Sequence, residues 1–292
     1  MASTRDIRRR IKSVKNTAQI TKAMQMVAAS KMRKAQQAAV AGRPYATLMN
    51  EVLAEVTFNA GDFTHPLTEK RAVKKKGVVL ISTDKGLCGA LNSNLLREAG
   101  KFDKESTIYI VAGRKGGQFL SRTKRRLAAE FTYKDAPLFS EARAISKFAR
   151  DLFTKGEVDE VKILFTNFIS TLSQRPDSLT LLPVGEIKGV TAGVHGHEQS
   201  EKLLKGALEF LFEPSPDVVL GELLPHYINF QVYQILLEAK ASEHSARMVA
   251  MKNATDNANQ LIKDLTLEYN KLRQANITKE LLEIASAAMA MG

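Results

Sequence analysis

Residues 237–272 read LEAKASEHSARMVAMKNATDNANQLIKDLTLEYNKL. Within this stretch Leu237, Ala241, His244, Met248, Met251, Thr255, Ala258, Ile262, Leu265, Tyr269 and Leu272 alternate steps of four and three without a slip. A 3.5-residue period sustained over five heptads specifies a left-handed coiled coil. The seam is imperfect, because His244, Thr255 and the alanines bring little apolar area. Outward from it, residues 226–291 hold neither Gly nor Pro, so one helix of roughly 100 Å is predicted. Ser215-Pro216-Asp217 supplies its start, with Pro in the first turn, and Pro225 predicts a kink early in its course. Past Leu272 the apolar positions move to Ile277, Leu281, Leu282 and Ile284, an apolar tip suited to a dimer contact or a hydrophobic socket.

Residues 1–41 also lack Gly and Pro and read as a second rod of roughly 60 Å. Ile7, Ile11, Val14 and Ala18 make a heptad seam, while Ile20, Met24 and Val27 fall about half a turn away from it. Apolar character on opposite faces suits a helix passing through a sleeve; burial within its own domain is the plainer alternative. Residues 1–43 carry eleven basic side chains against one acid, a net +10 of the chain's +12. Such a surface expects an acidic partner, whether nucleic acid, anionic lipid or an acidic protein loop. A cleavable organellar leader has a similar composition. The apolar pattern, however, continues through Ala35, Ala38 and Ala39 to Tyr45, Leu48, Val52 and Leu53, with a bend or break expected at Pro44.

The middle of the chain changes character. Residues 77–82, 107–111, 161–165 and 179–184 read as strands, and 91–102, 114–125 and 138–154 as helices. That alternation predicts a small α/β layer with a largely parallel sheet. The expected organisation is an N-terminal helix over 1–58, a linker over 59–76, the α/β domain over 77–212 and a C-terminal helix over 213–292. The one cysteine, Cys88, excludes an internal disulfide framework. No apolar run approaches a membrane span and no signal-peptide pattern opens the chain, so a soluble intracellular product is expected.

Local features offer chemistry only weakly. Asp84-Lys85-Gly86-Leu87-Cys88-Gly89-Ala90 lies between a strand and a helix, where phosphate loops sit, but matches neither glycine-rich fingerprint. Arg114-Lys115-Gly116-Gly117 resembles an anion site at a helix start or a solvated turn. His195, His197 and Glu198 are close in sequence but lack a further metal ligand nearby. Cys88 has no adjacent base and reads as a packing residue. No catalytic residue, cofactor site or metal site is assigned.

The stretches IRRRIKSVKNTAQITKAMQMVAASKMRKAQ, STDKGLCGALNSNL and SARMVAMKNATDNANQLIKDLTLEYNKLRQANITKELLEI resemble the gamma subunit of rotary (F-type) ATP synthases, over essentially the whole chain. The resemblance implies an α/β fold plus a long antiparallel coiled coil, the end helices forming a shaft with a small Rossmann-like domain. It implies a non-catalytic central-stalk rotor that couples proton flow to ATP formation. The implied partners are the alpha and beta subunits of the catalytic hexamer, the epsilon subunit and the membrane c-ring. No nucleic acid and no direct membrane span are implied. Arg247, Gln274 and Thr278 match family contacts with an acidic loop of the catalytic subunit, and Met24 matches a position beside that loop. Arg9, Arg10, Lys31, Arg33 and Lys34 are further candidates for acidic contacts, from their charge. Ala90 stands where the family usually has a second Gly, and the ending IASAAMAMG diverges. The cysteine pair of chloroplast relatives is missing, which favours a bacterial form on the cytoplasmic face of the inner membrane. Two other classes stay open on the residues alone: a basic coiled-coil nucleic-acid-binding protein and a nucleotide-using α/β enzyme.

Overall fold

The computed structural model describes residues 3–59, 65–185, 213 and 215–291. The chain divides into two units, one of Met1–Val27 with Met248–Gly292 and one of Ala28–Arg247. The elements in order are α1 (Thr4–Ala41), α2 (Arg43–Asn59), β1 (Lys76–Ile81), α3 (Leu91–Gly100), β2 (Thr107–Ala112), α4 (Arg114–Thr123), β3 (Arg126–Phe131), α5 (Phe139–Thr154), β4 (Glu160–Phe168), β5 (Gln174–Leu182) and α6 (Pro216–Met291).

In the first unit the seams read from sequence are the buried faces. Ile7, Ala18 and Thr21 on α1, and Met251, Thr255, Ala258 and Leu265 on α6, are all buried. Thr21 and Thr255 hydroxyls share a 2.7 Å hydrogen bond. A buried polar pair is satisfied only in one alignment, so it sets the register of a seam whose small residues specify it weakly. Counting outward from that pair in antiparallel sense, α1 reaches its start at Thr4 as α6 reaches Leu272. Burial stops there, and the described side chains of 273–289 are exposed.

The second unit is built on a five-stranded sheet of order β3-β2-β1-β4-β5. β1 to β4 run parallel and β5 returns antiparallel to β4. Alternation along β1 sorts the core. Val78 and Leu80 pack with Leu95, Ala99 and Leu120 on the α3–α4 side. Val79 and Ile81 pack with Ala142, Ile145, Phe153 and α6 residues Leu224, Ile228, Val232 and Leu236 on the other. Over 227–245 α6 is buried almost all round, as a helix enclosed in a core must be, and beyond that it becomes one-sided.

The structure changes the sequence reading in three places. The break in the N-terminal helix falls at Gly42, with Pro44 in the first turn of α2. A Cβ at Gly42 would lie 1.9 Å from Nε2 at the end of the Gln234 side chain, which would have to move aside. Strand β3 was not foreseen: RLAAEF is an edge strand with a mostly exposed pattern and too little alternation to show. β5 begins earlier than expected and includes Pro176, which an edge strand tolerates. α6 is one continuous helix through Pro225.

Candidate functional site

The glycine turn after β1 closes on itself. Thr83 Oγ1 donates to the Lys85 carbonyl at 2.7 Å, and Asn92 Nδ2 donates to Thr83 Oγ1 at 2.8 Å and to Cys88 Sγ at 3.3 Å. Leu87 and Gly89 take positive φ, whereas Ala90 sits at φ −83 and ψ 2, open to any residue. The departure from Gly at Ala90 is therefore without conformational cost. Cys88 is buried, and burial pushes its thiol up, so it packs and does not react.

The start of α4 is occupied from within. Arg114 N–H donates to Asp84 Oδ1 at 3.0 Å, Lys115 N–H to the Thr83 carbonyl at 3.0 Å and Gly116 N–H to Ser82 Oγ at 2.8 Å. The donors an anion would need are already used. Among the described residues no group of three potential ligands could hold a metal; His195, His197 and Glu198 lie outside those residues.

In doubly wound sheets ligands bind outside the carboxyl ends of the strands, where the order reverses. Here that point lies between β1 and β4, and α6 covers it. Ser242 Oγ donates to the Thr166 carbonyl at 2.9 Å and Ser245 Oγ to the Thr171 carbonyl at 2.8 Å. Arg247 Nη2 donates to the Gly86 carbonyl at 3.2 Å and the Lys85 carbonyl at 3.4 Å. The crevice that would cradle a nucleotide is filled by this chain's own helix.

Around that contact lies a charged cluster that sequence reasoning missed. Glu243, with a side chain 4 % exposed, accepts from Lys240 Nζ at 3.0 Å and from Arg247 Nη2 at 2.8 Å. The Lys240 ammonium lies 4.4 Å from the Tyr133 ring centre and 3.7 Å from Asp135 Oδ1. Asp135, in the β3–α5 loop, also pairs with Lys31 of α1. The available signal was the polar run Lys240–Ser245 inside an otherwise apolar helix. Read as a seam, it showed His244 only as a weak spot.

His244 is buried beside Lys240 and Arg247, and among the described residues its Nε2 has no hydrogen-bond partner. Desolvation pushes its pKa down to about 4, against the pull of Glu243 and Asp135. The folded state therefore holds the ring neutral while the unfolded chain still takes up a proton below about 6.5. Stability is full above that value and is lost as pH falls toward 4, by on the order of 3 kcal/mol. Asp135, lowered mainly by its hydrogen bond from Lys31, adds loss of the same sign at lower pH. Urea unfolding between pH 7 and 4 checks this, and His244→Asn is expected to flatten the upper part of the curve.

The partner-contact candidates divide between the units. In the first, Arg9, Arg10, Gln274 and Thr278 are exposed and Met24 is half-buried. Thr278 Oγ1 donates back to the Gln274 carbonyl at 2.9 Å. In the second, Arg33 and Lys34 are exposed, Lys31 is held by Asp135, and Arg247 is turned inward, its side chain 12 % exposed.

Comparison with known proteins places these features. A family model described as ATP synthase matches residues 3–291. The ATP synthase gamma chain of Opitutus terrae is 52 % identical and covers 99 % of both chains, and that of Methylacidiphilum infernorum is 48 % identical over the whole of both. Among solved structures, the central stalk/c-ring of Tetrahymena thermophila mitochondrial ATP synthase matches 80 % of this chain and 99 % of that one, at 28 % identity and TM-score 0.59. The rotor of the Euglena gracilis enzyme shares the fold over 94 % of this chain and 98 % of that one, at 21 % identity and TM-score 0.68. With its whole length matched, its two end helices paired and its ligand crevice filled by α6, the chain belongs to the ATP synthase gamma-chain family.

Proposed function

We propose that this chain is the central-stalk rotor of a proton-translocating ATP synthase, coupling ion flow through a membrane ring to conformational change in a surrounding catalytic hexamer. The whole-length likeness to gamma chains carries the reading. Two features support it. On α1, Ile20 (60 % exposed), Met26 (60 %) and Val27 (54 %) leave an apolar face opposite the buried seam. A sleeve of alpha and beta subunits would cover such a face while gripping it little. The basic residues Arg9, Arg10, Arg33 and Lys34 would meet acidic loops through rim pairs of about 0–1 kcal/mol each, weak enough to break at every step.

The chain is a non-catalytic subunit in this proposal, and the reacting groups belong to the hexamer. Its α/β body docks on the c-ring and the epsilon subunit, on the cytoplasmic side of a bacterial inner membrane. No helix among the described residues is long and apolar enough to cross a membrane. Nothing in the comparisons supports the nucleic-acid alternative.

The test is reconstitution with the ring subunits and observation of a probe during ATP hydrolysis. Cys88 is buried, so the probe goes on exposed Lys104 as Lys104→Cys. Unidirectional stepping is expected; an active ring that never turns the probe overturns the rotor reading. Met24→Lys sharpens the test. An ammonium 4 Å from an acidic loop gains about 1 kcal/mol in water and about 4 kcal/mol where water is partly excluded. That attraction comes and goes with rotor angle, so assembly should survive while fewer protons are pumped per ATP hydrolysed. An unchanged ratio in inverted vesicles counts against Met24 as a contact.

A further inference from the structure

The cluster on α6 does something that apolar packing does not. Over 227–245 the helix is buried on nearly all sides, and its apolar contacts, being non-directional, carry no bond that must be remade in one particular angular setting. Lys240, Glu243 and Arg247 add directional contacts at spacings of three and four, one face over about two turns. Those contacts reach three other elements of the same unit: Lys240 to Tyr133 and Asp135, Arg247 to the Lys85 and Gly86 carbonyls, and Asp135 onward to Lys31 of α1. Ser242 and Ser245 tie the adjacent face to the Thr166 and Thr171 carbonyls. Turning α6 by one residue, about 100°, would break every one of them at once.

We propose that the carboxyl-edge crevice of the α/β body is a keyed socket, in which Glu243, clamped between Lys240 and Arg247, fixes the angular setting of α6 so that torque passes between body and helix. The position that holds a ligand in other doubly wound sheets here holds the rotor's own helix. A buried ion-pair network is poor value as stabilisation, because apolar replacements of similar volume often match it. Its use is specification of one arrangement. Glu243 is thus a positioning residue, and the inference rests on the rotor reading above.

The experiment uses the assembled complex with the Lys104→Cys probe, the catalytic ring held and the rotor paused. Glu243→Gln keeps the shape but removes the charge and replaces one of the two acceptor oxygens with an amide donor, so at most one of the bonds from Lys240 and Arg247 survives. With one of the two directional bonds to position 243 lost and the other weakened, the probe's angular variance should rise about twofold. Protons pumped per ATP should fall, with assembly and hydrolysis at wild-type levels. Lys240→Met with Glu243→Gln leaves no uncompensated buried ammonium. It guards against misfolding of the single variant and should broaden the distribution further. A wild-type complex that rotates, with both variants showing wild-type variance and pumping, overturns the socket and leaves the rotor standing. Failure of the double variant to assemble also overturns it, in favour of a role in folding. A wild-type probe that never turns on an active ring removes the rotor reading and the socket with it.

Discussion

Leu265→Pro is expected to abolish assembly with the ring subunits. Leu265 is 5 % exposed, on the α6 seam within the unit formed by the first 27 and the last 45 residues. Proline removes the bond from residue 265 to the carbonyl of residue 261 and clashes with that carbonyl, at about 3 kcal/mol or more. Loss of the leucine's burial adds about 1.5–3 kcal/mol. The neighbouring seam, with Ala18, Ala258 and the Thr21–Thr255 pair, has little apolar area in reserve. Circular dichroism should show lost helix, and size-exclusion chromatography should show no complex. The sheet unit, whose core lies in residues 49–239, should keep its fold. Leu265→Met, at under about 1.5 kcal/mol, should assemble normally. A normal yield of complex from Leu265→Pro would sink the paired-helix reading.

Gly113→Ala should damage the other unit about as severely. Gly113 joins β2 to α4 with φ 101, and its N–H donates to the Phe131 carbonyl at 2.9 Å. A Cβ there would stand 2.1 Å from the Ser82 carbonyl oxygen and 2.8 Å from its carbon. Both atoms are backbone, so no side chain can swing aside. Strain at positive φ costs about 1–2 kcal/mol and overpacking about 1–3 kcal/mol. Together these are a large share of the roughly 5–15 kcal/mol that holds a domain folded. Urea unfolding should show a lower midpoint at unchanged slope. Gly100→Ala is the matched control: a Cβ at Gly100, the last residue of α3, meets nothing within 4 Å, so its midpoint should hold or rise slightly. Equal midpoints for the two variants would refute the close-approach argument.

What could be read in advance follows from which interactions are local. The helices at 91–100, 114–123 and 139–154 and the strands β1, β2 and β4 were legible, because hydrophobic period, turn glycines and helix starts are properties of neighbouring residues. The α6 seam was legible for the same reason. Edge strand β3 was not, since RLAAEF takes its conformation from pairing with β2, a contact made only after the sheet forms. The place of the helix break was also hidden. Pro44 announced a break nearby, but the break falls at Gly42, packed against the Gln234 side chain from a distant part of the sequence.

The candidate site divides along the same line. Charge composition alone marked α1 as a basic surface, and Arg9, Arg10, Arg33 and Lys34 are exposed as a solvated charge must be unless it is paired. For Lys31 and Arg247 the type of side chain was visible but its partner was not. Asp135 and Glu243 take them up within the chain; the first pairing depends on where the sheet places the β3–α5 loop, while the second is an i, i+4 pair within α6. Sequence by itself determined the main helices, strands β1, β2 and β4, the seam and the charge of the first rod, since each rests on residues within a few turns of one another. Only the tertiary structure decided that α6 fills the carboxyl-edge crevice. Burial of Lys240 and Glu243 is tolerable only once the β3–α5 loop supplies a ring face and a carboxylate to Lys240 and the β1–α3 turn supplies a carbonyl that holds Arg247 beside Glu243.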